Sequence, residues 1–89
     1  MKAIVTVVGK DRKGIIAKVS NFLYEKDINI EDISQTIMQD FFTMVMLVNV
    51  DEIKFSFNEI VKKCHDLGDE MGLEIRIQSE DIFNAMHKI

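Results

Sequence analysis

Asp11, Arg12 and Lys13 sit between two glycines in the segment Gly9-Lys10-Asp11-Arg12-Lys13-Gly14-Ile15-Ile16. An apolar run, Ala3 to Val8, precedes it, and residues at helical spacing follow. A glycine-bounded turn from strand to helix leaves backbone N–H groups unpaired at the helix start, and such groups accept an anion. The glycine spacing superficially resembles a phosphate-binding P-loop. Ile15 and Ile16 stand where that loop needs Lys and Ser/Thr, so nucleotide hydrolysis is excluded. A carboxylate remains: the amides of Lys13 to Ile16 would meet it, helped by the charges of Arg12 and Lys13. The same residues have a plainer use, with Asp11 as the helix cap and Gly14 allowing close packing.

Asn29 is the second polar candidate. Its amide can bond a ligand, or it can bond its own backbone in a turn. His65 and Cys64 are adjacent on a helical stretch, so their side chains diverge by about 100° and form no nucleophile–base pair. Cys64 falls on an apolar stripe and reads as inert core, and His87 reads as a helix-end cation. Met38, Met44, Met46, Met71 and Met86 read as adaptable packing. No acid–base constellation converges, so no enzyme, metal or cofactor is expected.

The elements that must hold these residues follow from periodicity. A strand runs from Lys2 to Val8, and Ile15, Ile16, Val19, Phe22 and Leu23 predict a helix from Gly14 to Lys26. Ile28 to Gln39 is strand-like, but Ile28 and Ile30 hold one parity and Ile33, Gln35 and Ile37 the other. A bulge near Glu31-Asp32 is therefore expected. Asp40 closes a turn of open type into Phe41–Val50, which is apolar on both parities and reads as a central strand covered on both faces. Ser56 and Glu59 form a capping box, with Phe55 and Ile60 as a staple, before a stripe of Phe57, Ile60, Val61, Cys64, Leu67 and Met71. Gly72 is placed as a left-handed C-cap, and Leu73 to Gln78 alternate as a half-buried strand. Ser79 caps a last helix with Glu80 and Asp81 in its first turn and His87 and Lys88 in its last.

The order β-α-β-β-α-β plus a C-terminal helix predicts an α+β, ferredoxin-like sandwich: a four-stranded antiparallel sheet with both main helices on one face. Ile4, Val8 and one parity of the third strand would then lie on the other face. That much apolar surface calls for cover by the C-terminal helix (Ile82, Phe83, Met86, Ile89), a second subunit, or both.

Size and charge agree. A chain of 89 residues is one domain, short enough to gain stability from self-association. A net charge of −4 and a pI near 5.0 argue against nucleic-acid and anionic-membrane partners. The chain has no proline, one cysteine, no signal-peptide pattern and no apolar run approaching a membrane span, so a reduced, cytoplasmic protein is expected.

Asp11-Arg12-Lys13-Gly14-Ile15-Ile16 resembles the D-R-x-G-I/L-[IL] signature of ACT domains. Asp27-Ile28-Asn29-Ile30-Glu31-Asp32-Ile33 is similar to that family's x-I-N-I-x-x-I opening of the second strand. The resemblance covers about residues 1–78, leaving 79–89 as a helical extension, and is strongest to small stand-alone ACT proteins related to the glycine-cleavage regulator. It implies a non-enzymatic regulatory module binding an amino acid or similar metabolite where two domains meet. Asp11 and Gly14 would shape the turn. The amides near Lys13, Ile15 and Ile16, with Arg12 beside them, would meet the carboxylate, and Asn29 and Ile30 would come from a neighbouring subunit. It also implies at least a dimer and a partner protein that receives the signal. Lys13 departs from the proline of many relatives, and the sequence shows no attached enzyme or DNA-binding domain. Three other readings are weaker. A ligand-free interaction module would use the apolar sheet face. An acylphosphatase-type enzyme would use Arg12 and Asn29, but its longer glycine-rich signature is missing. An RNA-recognition domain needs a basic surface and stacking aromatics.

Overall fold

The computed structural model describes residues 1–86; His87, Lys88 and Ile89, expected to finish the last helix, lie outside the described residues. The elements are β1 (Lys2–Lys10), α1 (Ile15–Glu25), β2 (Asn29–Met38), β3 (Phe41–Asn49), α2 (Phe57–Met71), β4 (Glu74–Ser79) and α3 (Glu80–Met86). The four strands form one antiparallel sheet in the order β2-β3-β1-β4, with the two most apolar strands central. This is the ferredoxin-like arrangement that the order of elements predicts.

Alternation along the strands decides which side is core. Ala3, Val5 and Val7 of β1 and Phe42, Met44, Met46 and Val48 of β3 are buried, and they pack with Ile15, Val19 and Leu23 of α1 and Ile60, Cys64 and Leu67 of α2. The alternate residues Ile4, Val45 and Leu47 are only half-buried, and Val8 and Phe41 are exposed. The third strand is therefore covered on one face within the chain, not on both. The two main helices sit on a single side of the sheet, and among the described residues α3 reaches the other side only at β1 and β4.

The expected bulge is present, as a register shift between Ile30 and Asp32. Ile30 registers with Val48 and Ile33 with Met46, both on the helix side. One extra residue has reset the phase, so both isoleucines face the same side despite opposite parity. The β2–β3 turn is two residues, Gln39 and Asp40, with φ +55° at Gln39 alone among the two. Positive φ at the first central position is a feature of the primed turns, whose twist suits a hairpin.

Both ends of α2 follow the local code. The Glu59 N–H donates to Ser56 Oγ (3.2 Å), and Gly72 adopts φ +69° at the C-terminus. The stripe is buried at Ile60, Cys64, Leu67 and Met71, whereas Val61 remains exposed at its rim. The Ile82 N–H donates to Ser79 Oγ (3.3 Å), so Ser79 caps α3 as expected while also ending β4.

Candidate functional site

The loop from β1 into α1 begins where β1 separates from β3, after Lys10 registers with Phe41. The Asp11 N–H donates to the Asp40 carbonyl at 2.6 Å, which ties the loop to the β2–β3 turn. The chain then enters α1 through Gly14 at φ +86°, ψ +3°. A residue with a Cβ pays about 1–2 kcal/mol in that left-handed region, so the glycine is there for its backbone. Nothing lies within 4 Å of where a Cβ would stand, so space is not the constraint.

No side chain caps α1, and its first turn holds no acidic residue. Asp11 therefore does not serve as the helix cap, which corrects the plainer reading of this segment. The left-handed Gly14 lies between them in the chain, and Asp11 is instead held by its own backbone. The Lys18 N–H donates to the Gly14 carbonyl (2.9 Å), starting the helical ladder one turn in. The amides before it keep the open valence of an N-terminus.

These amides border a concavity of about 440 Å³ lined by Asp11, Arg12, Gly14, Ile15, Ile16, Ala17, Gln35 and Phe42. Five of the sequence-derived site residues meet here: Asp11, Arg12, Gly14, Ile15 and Ile16. Ile15 is 2% exposed and anchors the helix in the core, while Ile16 is 40% exposed at the rim. Lys13 is exposed beside the loop but is not part of the lining. Three residues were missed by sequence reasoning. Phe42, 2% exposed, supplies an apolar wall, Gln35 an amide, and Ala17 the next helical position. The signal for Gln35 was its shared parity with Ile33 and Ile37, which sets it on the helix side; its nearness to the loop needs the β2–β3 register.

Asn29 and Ile30 lie elsewhere. Asn29 registers with Asn49, which registers with Lys2, at the far end of the sheet from Lys10. The two ends of β1 are eight residue steps apart, about 26 Å at 3.3 Å per residue. One protomer therefore does not bring Asn29 or Ile30 to the loop. Asn29 is exposed, and Ile30 packs partly buried against the core.

The lining offers complementary groups for a zwitterion. Helical amides and the Arg12 guanidinium suit a carboxylate, and the Asp11 carboxylate and the Gln35 amide oxygen can accept from an ammonium. Two other concavities are as large, about 430 Å³ beside His65 and Arg76 and about 450 Å³ beside Met38 and Phe41. Volume does not choose among the three; the open helix start does.

Other chemistry-bearing side chains do not compete. Burial pushes the Cys64 thiol up to about 12, so it stays protonated and unreactive. His65 Nδ1 lies 3.4 Å from Asp69 Oδ2, one helical turn away, and Asp66 completes an exposed acidic group on the outside of α2. Among the described residues no helix is long and apolar enough to cross a membrane.

Comparison with known proteins agrees with this fold. A family model described as ACT domain matches residues 2–78. A UPF0237 protein of Listeria innocua is 49% identical over 89 residues, the whole of both chains. An ACT domain protein from Streptococcus pneumoniae superposes with a TM-score of 0.83 at 46% identity, over 98% of each chain. A protein assigned as a glycine cleavage system transcriptional repressor superposes at 0.70 and 26% identity, over 86% of this chain and 43% of its own. ACT domains are commonly small-molecule-binding regulatory modules. A glycine-led, uncapped helix start on a βαββαβ sandwich, matched over nearly its full length, makes this chain a member of the ACT domain family.

Proposed function

We propose that this protein binds an amino acid, or a small metabolite with the same carboxylate and ammonium groups, at the start of α1, and that it is a regulator rather than an enzyme. The observation that carries the reading is the entry of α1 through Gly14 with neither a side-chain cap nor an acid in its first turn, beside Arg12. A ligand carboxylate supplies the missing acceptor and also meets the positive end of the helix dipole. Asp11 and Gln35 receive the ammonium, and Phe42 packs on the side chain. Lys13 adds charge from outside the lining.

In this reading the protein works as a homo-oligomer, at least a dimer, in the cytoplasm. Asn29 and Ile30, remote from the loop in their own protomer, complete the site of a neighbour. Ligand occupancy then strengthens association, and the liganded assembly is what a partner protein recognises. This is linkage between two binding equilibria and needs no bond chemistry.

A thermal-shift panel of the common amino acids at millimolar concentration tests it, with mass measured alongside. A ligand present at one hundred times its Kd stabilises by about 2.7 kcal/mol. For a domain of this size that raises Tm by roughly 10–20 °C. If no amino acid moves the transition, the proposed ligand class is wrong.

A further inference from the structure

α1 leaves part of the helix side of the sheet open. Ile33, Gln35 and Ile37 of β2 register with the buried Met46, Met44 and Phe42, so all three face the side that α1 and α2 cover. Yet Ile33 is 44% and Ile37 51% exposed, and Gln35 is exposed as well. β2 is an edge strand, and its isoleucines on the core side border a groove rather than a closed core.

The rotation of α1 sets the other wall of that groove. Ile15, Val19 and Leu23 form its buried stripe. At about 100° per residue, Lys18 and Phe22 fall on one flank of the stripe and Ile16 and Ser20 on the other. Lys18 Nζ lies 3.4 Å from Glu70 Oε1 of α2, and Phe22 shares a recess with Leu67. That flank therefore faces α2, and the Ile16 flank faces β2. Ile16, Ala17, Gln35 and the buried Phe42 meet in the concavity of about 440 Å³ at the start of α1. Small-molecule sites run from about 300 to 1,000 Å³, so the size suits an amino acid. Ile37 lies directly across from Phe42 and extends the apolar strip toward the sheet edge.

The charges of this lining sit at one end. Among the described residues, Asp11 and Arg12 are the only charged ones in it. Lys13 stands outside the lining, and Lys18, the next cation along α1, is turned to Glu70. Beyond Asp11 and Arg12 a ligand meets Ile16, Ala17, Phe42 and Ile37. A charged group placed there loses its water without gaining a partner.

From this we infer that the site selects an amino acid with an aliphatic side chain, seated on Phe42 between Ile16 and β2. The inference rests on the amino-acid reading and narrows it. Asp11, Arg12 and Gln35 are taken up by the ammonium and carboxylate, which every amino acid shares, so the apolar groove does the choosing. Alanine and glycine leave the groove unfilled, and acidic or basic side chains find no counter-charge in it. Ile16 is the residue that sets the choice. Ile15, 2% exposed, already anchors the helix in the core, and Ile16, 40% exposed, keeps its side chain open to the groove.

Titration calorimetry of the full chain with leucine, alanine, asparagine and aspartate tests it. Leucine, asparagine and aspartate all fork at the γ carbon, so they differ in polarity far more than in size. Leucine binds at least roughly tenfold tighter than alanine and than asparagine, the scale on which an apolar pocket discriminates. Aspartate gives no heat at millimolar concentration. Ile16→Ala removes one wall of the groove, keeps the backbone amides and puts in a strong helix former. It brings the leucine-to-alanine affinity ratio down toward one. Asparagine equal to leucine would mean that Gln35 reads the side chain. That result, or alanine or aspartate equal to leucine, or a ratio left intact by Ile16→Ala, overturns the aliphatic selection while the amino-acid reading stands. If no common amino acid shifts the thermal transition, the ligand reading itself fails and the selection falls with it.

Discussion

The two main helices begin in opposite ways. α2 is closed by its own sequence: Ser56 Oγ accepts from the Glu59 N–H at 3.2 Å and lies 3.4 Å from Glu59 Oε1, and Glu59 puts negative charge on the first turn. α1 is left open: a left-handed glycine leads in, no side chain accepts from its amides, and the flanking charges are Arg12 and Lys13. A cap of the kind at Ser56 contributes about 1 kcal/mol. The α1 start forgoes that stabilisation and concentrates positive potential instead. One start is closed by its own side chains, and the other leaves its first amides without a side-chain acceptor.

Four substitutions sharpen or break this contrast. Arg12→Glu has the largest expected effect, on ligand response alone. A hydrogen bond to a charged group contributes about 1.5–3 kcal/mol, so amino-acid affinity falls by roughly ten- to a hundredfold, read by titration calorimetry. Unliganded stability stays within about 0.5 kcal/mol. An unchanged affinity would remove Arg12 from the site.

Gly14→Ala comes next. The methyl meets no atom within 4 Å, so the whole cost is backbone strain at φ +86°, about 1–2 kcal/mol in urea unfolding. A neutral result would mean that the loop escapes the left-handed conformation at no cost. Ser56→Ala lowers stability by about 1 kcal/mol and leaves the amino-acid shift as it was. Loss of that shift would show the two starts to be coupled rather than separate in role.

Ala17→Glu has the smallest effect and the opposite sign. It gives α1 the first-turn acid that it lacks and stabilises the unliganded protein by about 0.3–1 kcal/mol. The same carboxylate competes with the ligand, so the amino-acid thermal shift shrinks. A variant that is both more stable and equally responsive would show that the open start is not where the carboxylate binds.

Much of this was legible along the chain because its causes are local. The Ser56–Glu59 box, the Gly72 C-cap and the Ser79 cap act over three or four residues, and all are in place. The bulge near Asp32 was readable from a slip in parity, since a strand buried on one side cannot change phase without an extra residue. Cover was harder to read. Val61 falls on the apolar stripe but at its exposed rim, because the width of a stripe that a sheet buries depends on where the helix rests. The apolar second parity of β3 implied a covering layer without saying whether it belongs to the same chain.

The candidate site divides along the same line. Residues 11 to 16 lie together in sequence, so their turn, charge and open amides could be read as one unit. Gln35 and Phe42 reach them only through the pairing of β2 with β3 and the bond from Asp11 to the Asp40 carbonyl. Asn29, which the resemblance assigns to a neighbouring subunit's site, lies at the opposite end of the sheet from the loop of its own protomer. By itself the sequence determined the elements, their caps and the open start of α1, because period, turn residues and capping act over a few bonds. The tertiary structure decided which distant residues face that start and which half of the outer sheet stays bare, because strand order and register depend on contacts between residues far apart in the chain.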